Sequence, residues 1–115
     1  MKKILLVEYD ESFRSILKGI LQKNGYDVVA APNGLEAQKC FEKNQFDLVV
    51  LEIRIPTVSG MELLYWIRKQ SSVPVILIPA LIQEKELKEV LLVKRNQVVP
   101  KPFKCEEILS AIERA

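Results

Sequence analysis

The apolar run Asp47-Leu48-Val49-Val50-Leu51 ends in a single carboxylate, Glu52, and a lysine, Lys101, opens the triplet Lys101-Pro102-Phe103 near the other end of the chain. A near-continuous Val/Leu run reads as a strand buried on both faces of a parallel sheet. The carboxylate that follows it emerges at the sheet's carboxyl edge, where open α/β folds place their chemistry. A second acidic stretch, Glu8-Tyr9-Asp10-Glu11, follows the apolar segment Ile4-Leu5-Leu6-Val7 in the same way. That turn has no glycine-rich loop, and its acids would repel a phosphate rather than cradle one. The chain has no histidine. It therefore lacks the usual general base, the commonest zinc ligand and any Ser-His or Cys-His nucleophile pair, and it cannot be the histidine phosphodonor of a relay. Glu52 is the residue to explain.

The 115 residues fit one domain, 1–115, with a real core. The 28% of charged residues is that of an ordinary soluble globule, and no low-complexity tract appears. A net charge of +2, with Lys and Arg scattered among Asp and Glu, argues against direct nucleic-acid binding. Lys2-Lys3 and the following apolar residues do not make a signal peptide, because Glu8, Asp10 and Glu11 break the stretch at once. No window is long enough for a membrane span, so a cytoplasmic location is expected. Cys40 and Cys105 sit far apart within helical patterns and read as two buried free thiols.

Strand and helix patterns alternate five times, which predicts an α/β fold with a parallel sheet and helices on both faces. The strands are read at Ile4 to Val7, Val28 to Ala31, Leu48 to Leu51, Val73 to Ile78 and Val98-Val99. Phe13, Ile16, Leu17, Ile20 and Leu21 stripe the first helix up to the stop at Asn24-Gly25, and Ala37, Cys40 and Phe41 stripe the second. Ser59 is the expected N-cap of a third helix with Leu63, Leu64 and Ile67 inward. A fourth, Glu84 to Val93, faces inward through Leu87, Val90 and Leu91, and the last does so through Cys105, Ile108, Leu109 and Ile112. The pattern permits the flavodoxin-like order 2-1-3-4-5, in which the first and third strands are neighbours and Glu8 and Glu52 meet at one edge.

Lys2-Lys3-Ile4-Leu5-Leu6-Val7-Glu8-Tyr9-Asp10, the segment from Phe46 to Gly60 and Lys101-Pro102-Phe103 together resemble the receiver domain of two-component response regulators, over essentially the whole chain. The resemblance implies a flavodoxin-like (βα)5 fold and a phosphoryl group accepted on an aspartate after the third strand. It also implies Mg²⁺ held by acids after the first strand. Glu52 stands at the acceptor position, and one extra methylene displaces the attacking oxygen by about 1 Å, enough to slow transfer on the order of a hundredfold. The metal-site positions read Glu8 and Tyr9, and a phenol is a poor Mg²⁺ ligand at neutral pH. At the switch positions Pro79 replaces a Ser or Thr, Val98 replaces an aromatic residue, and Lys101 is kept. Its bond to Pro102 is expected to be cis. Asp10 either substitutes as an acid or starts the first helix.

The resulting expectation is an atypical receiver, not an enzyme, that acts as a regulatory protein-interaction module without aspartyl phosphorylation. Glu52 would be a permanent charge reaching toward the place of a phosphoryl oxygen, and its natural partner is Lys101, the alternative being a lysine exposed to water. No cofactor is expected, with Mg²⁺ binding at most weakly. The resemblance suggests a protein partner or fused output domain, and a homodimer or docking contact through the fourth helix, fifth strand and fifth helix. Lys94-Arg95 deprives the fourth helix of a glycine cap, so a rearranged or mobile stretch is expected from Leu91 to Gln97. Two rivals stay open: a phosphorylatable receiver using Glu52 or Asp10 with Mg²⁺, and a flavodoxin-like domain binding a small anion or nucleotide.

Overall fold

The computed structural model describes residues 2–115. Its elements run β1 (Lys3–Val7), α1 (Glu11–Lys23), β2 (Asp27–Ala31), α2 (Gly34–Lys43), β3 (Leu48–Leu51), α3 (Gly60–Arg68), β4 (Val75–Leu77), α4 (Glu84–Leu91), β5 (Asn96–Val98) and α5 (Cys105–Arg114). All strand pairs are parallel, and the order is β2-β1-β3-β4-β5, the doubly wound flavodoxin-like arrangement. The alternation of each strand divides the core. Leu5, Val7, Val49, Leu51, Val75 and Leu77 face α2, α3 and α4, while Ile4, Leu6, Leu48, Val50 and Ile76 face α1 and α5. Burying each of these side chains stabilises the fold by roughly 1.5–3 kcal/mol.

Helix starts follow local chemistry. Asp10 accepts the Phe13 N–H at 3.0 Å, Asn33 that of Glu36 at 2.8 Å and Ser59 that of Glu62 at 3.2 Å. Asp10 thus caps α1. α1 stops at Asn24, and Gly25 follows with φ +91°, a conformation that favours glycine.

Several boundaries and faces differ from expectation. β4 occupies only Val75–Leu77, inside Pro74 and Pro79, and β5 begins at Asn96 rather than Val98. These three-residue strands cover less of the sheet than the five-residue β1 and β2. α4 accordingly ends at Leu91, whose side chain is exposed rather than inward. On the other face of the sheet α1 leaves Ile16 exposed. Cys105 is exposed at the first position of α5 and Cys40 is half-buried, so neither is the fully buried thiol that the helical stripes suggest.

The stretch after α4 is a turn closed by backbone bonds, Leu92 N–H to the Lys88 carbonyl and Asn96 N–H to that of Val93. A side-chain clasp replaces the missing glycine cap. The Arg68 guanidinium donates to the Asn96 side-chain oxygen at 2.5 and 3.2 Å and to the Val73 carbonyl at 2.6 Å. Asn96, only 8% exposed, donates in turn to the Val90 carbonyl at 3.0 Å. Asn96→Ala should therefore leave the Val90 carbonyl without this donor and the Arg68 guanidinium without its side-chain acceptor, costing about 2 kcal/mol by urea unfolding. A change under about 0.5 kcal/mol would place the clasp in the category of replaceable surface contacts.

Candidate functional site

β1 and β3 pair through Val7 and Leu51, so the next residue of each strand, Glu8 and Glu52, leaves the sheet at the same level. The backbone register continues for one more bond on each side, Glu52 N–H to the Val7 carbonyl at 3.0 Å and Glu8 N–H to the Ala31 carbonyl at 3.1 Å. Both acids are nearly closed off from water, at 2% exposure for Glu8 and 4% for Glu52. Lys101 arrives from the connection between β5 and α5, fixed by its N–H to the Pro79 carbonyl at 2.9 Å, and its bond to Pro102 is cis.

The ammonium lies between the two carboxylates. Nζ is 2.5 Å from Glu8 Oε1 and 2.9 Å from Glu52 Oε1, and it stands 4.2 Å from the centre of the Phe13 ring. Glu52 Oε1 also accepts the Ala80 N–H at 3.3 Å, while Oε2 accepts those of Ile53 at 2.6 Å and Arg54 at 3.4 Å. Glu8 Oε2 takes the Asp10 N–H at 3.1 Å. Among the described residues, no buried side-chain nitrogen or oxygen lacks a partner. Such satisfaction is what makes buried charges tolerable, since each would otherwise cost several kcal/mol of desolvation.

The loop after β3 holds Glu52 in this pose by close backbone contact. A Cβ on Gly60 would come within 2.5 Å of the Glu52 carbonyl oxygen and the Ile53 Cα, so α3 can start this near the site only from glycine. Thr57, a β-branched residue, sits at φ +68° on the same loop, a conformation that costs about 1–2 kcal/mol. The Thr57 hydroxyl bonds the Pro56 carbonyl at 2.6 Å.

Burial acts to lower the Lys101 pKa, but the bonds to Glu52 and Glu8 outweigh it, and the group lies above its ordinary 10.5. Tyr65 is raised above 10.0, first by its hydroxyl bond to Glu89 and then by burial. In both cases folding favours the protonated form. The contribution to stability is complete below the ordinary values and is lost as pH climbs through the raised folded ones. Urea midpoints should therefore begin to fall above about pH 10. Tyr65→Phe should lose the tyrosine share of that fall.

Other singled-out residues lie elsewhere. Tyr9 points to solvent at 62% exposure, its carbonyl taken by Arg14 Nη1 at 3.1 Å, so it does not join the two glutamates. Pro79 is buried beyond β4 and contributes only its carbonyl. Val98 is half-buried in β5, against the core on the side of α4. The donors Ile53, Arg54 and Ala80 were not legible, because they act through backbone N–H groups that any residue but proline supplies. Phe13 read only as a core residue, although its ring also faces the ammonium.

A magnesium site would need these carboxylates free to turn oxygens toward the ion in octahedral geometry. Among the described residues, the two acids buried at this edge are both bridged by Lys101, and the third position is an outward phenol. The set does not fit the ion. Among the described residues no group of three or more His, Cys, Asp or Glu is placed to hold a metal, and no helix is long and apolar enough to cross a membrane.

The response regulator receiver domain model matches residues 4–113. The chain is 34% identical over 113 residues, 98% of its length, to the transcriptional regulatory protein CpxR homolog of Haemophilus influenzae, of which it covers 49%. It is 33% identical to the chemotaxis protein CheY of Listeria monocytogenes, covering 100% of this chain and 98% of that one. The first of these stands for several: the chain spans about half the length of many curated relatives it matches. Among solved structures, the receiver domain of the sensor histidine kinase PA1611 from Pseudomonas aeruginosa, with a magnesium ion coordinated in its active-site cleft, superposes with a TM-score of 0.87. The identity to it is 27%, over 98% of this chain and 95% of that one.

Proposed function

Because this chain belongs to the response regulator receiver domain family of two-component signalling, we propose that it is a receiver whose switch has been set by a built-in charge in place of phosphorylation. One observation carries this reading: Glu52 engages Lys101, Ala80, Ile53 and Arg54 together. An acceptor carboxylate must offer a free oxygen to phosphorus, and the attack needs its charge neutralised by metal or donors that are not already occupied. Here the ammonium and three N–H groups that could receive phosphoryl oxygens are taken by the glutamate itself. Tyr9 in place of a second acid and Pro79 in place of a hydroxyl point the same way.

On this reading the domain is not an enzyme and does not depend on Mg²⁺. It works in the cytoplasm through protein contacts, either with a separate partner or with a fused output domain, for which the unmatched half of its longer relatives leaves room. Incubation with acetyl phosphate and Mg²⁺ followed by intact mass measurement tests it. The unmodified mass is expected, and an adduct of one phosphoryl group on Glu52 or Asp10 would overturn the reading.

A further inference from the structure

The buried acid site and α4 are joined by a route that uses neither Pro79 nor Val98. Arg54 follows Glu52 by two positions, and its two ends serve different elements. Its backbone N–H is 3.4 Å from Glu52 Oε2, while its guanidinium Nη2 is 3.5 Å from Glu86 Oε1 in the first turn of α4. That same Glu86 oxygen accepts the Gln83 N–H at 3.1 Å, which closes the start of the helix. α4 is poorly anchored by apolar burial, Val90 being its one fully buried residue, so its position depends heavily on polar ties. The remaining ties, Tyr65 to Glu89 and Asn96 to the Val90 carbonyl, lie further along the helix. Among the described residues, the Arg54–Glu86 contact is the polar tie from its first turn to the loop that Glu52 orders.

We propose that Arg54 is a positioning residue that couples the Glu52 carboxylate to the N-terminal turn of α4. Glu52 fixes the backbone at Ile53 and Arg54, and that backbone sets where the guanidinium meets Glu86. The proposal rests on the reading of Glu52 as a fixed charge but is measured without any phosphodonor, so a phosphoryl adduct would overturn that reading while leaving this coupling to its own test.

Hydrogen exchange at the Leu87 amide, which bonds the Gln83 carbonyl at 2.9 Å, reports opening of this turn. Glu52→Gln and Arg54→Ala should each speed it about threefold, the range expected for losing one exposed ion pair. The double variant should be no faster than either single one, because both break the same link. Arg54→Lys should restore slow exchange, and the exchanged pair Arg54→Glu with Glu86→Arg should do so where Arg54→Glu alone does not. Additive accelerations, or a Leu87 amide unmoved by Glu52→Gln, would overturn the coupling. Should Glu52→Gln fail to fold, Glu52→Asp, which keeps the charge but withdraws the oxygen from the Arg54 N–H, takes its place in the cycle with the half-exposed Arg54 and the largely buried Glu86: faster Leu87 exchange that is not additive with Arg54→Ala supports the coupling, and an unmoved or additive response overturns it.

Discussion

Lys101→Met is expected to lower folding stability by about 3 kcal/mol or more, because it strands two buried carboxylates that now share one ammonium. Glu8 and Glu52 would keep their backbone N–H partners but face each other without a counter-charge between their Oε1 atoms. For a domain of this size the melting temperature should fall on the order of 15 °C. Glu8→Gln and Glu52→Gln added to Lys101→Met should recover most of the loss, as a neutral, hydrogen-bonded site no longer needs the ammonium. A single-variant loss below about 1 kcal/mol would mean that water replaces Lys101 readily and that the three charges are not a structural unit.

The three-charge site is partly legible in the sequence. The Leu48 to Leu51 run reads as a doubly buried strand, and the pattern permits the order 2-1-3-4-5, under which Glu8 and Glu52 are neighbours, as the structure shows them to be. Placing Lys101 opposite Glu52 needed the resemblance, and that both glutamates share it emerged only with the register and side-chain reach. The N–H donors carry no residue signature. The clasp of Arg68 on Asn96 joins residues 28 apart in sequence, with no local pattern to announce it. The misplacement of Leu91 has a physical cause: apolar spacing reports that a helix has an inner side but not how much sheet lies beneath it. Over the short β4 and β5 that sheet runs out, and Leu91 is left in solvent.

The larger chemical expectation concerns the paired substitution Glu52→Asp with Tyr9→Asp. Glu52 reaches the Ala80 N–H and the Lys101 ammonium with the same oxygen, at 3.3 and 2.9 Å, and its extra methylene is what carries the oxygen that far. An aspartate there falls about 1 Å short, leaving these donors unoccupied and oriented toward the space in front of the carboxylate. A second acid after β1 then supplies the hard oxygen ligand that the outward phenol of Tyr9 does not. The double variant should bind Mg²⁺ measurably by calorimetry. It should also take a phosphoryl group from acetyl phosphate, releasing acetate, on the order of a hundredfold or more faster than the parent chain. Glu52→Asp alone should gain little, because the metal would still lack its carboxylate. Pro79→Thr added to the pair should raise the rate again by restoring a hydroxyl where only a carbonyl now serves Lys101. If the parent chain is labelled as fast as the double variant, then the four bonds around Glu52 do not restrain it, and the charge built into this site is not what holds its switch.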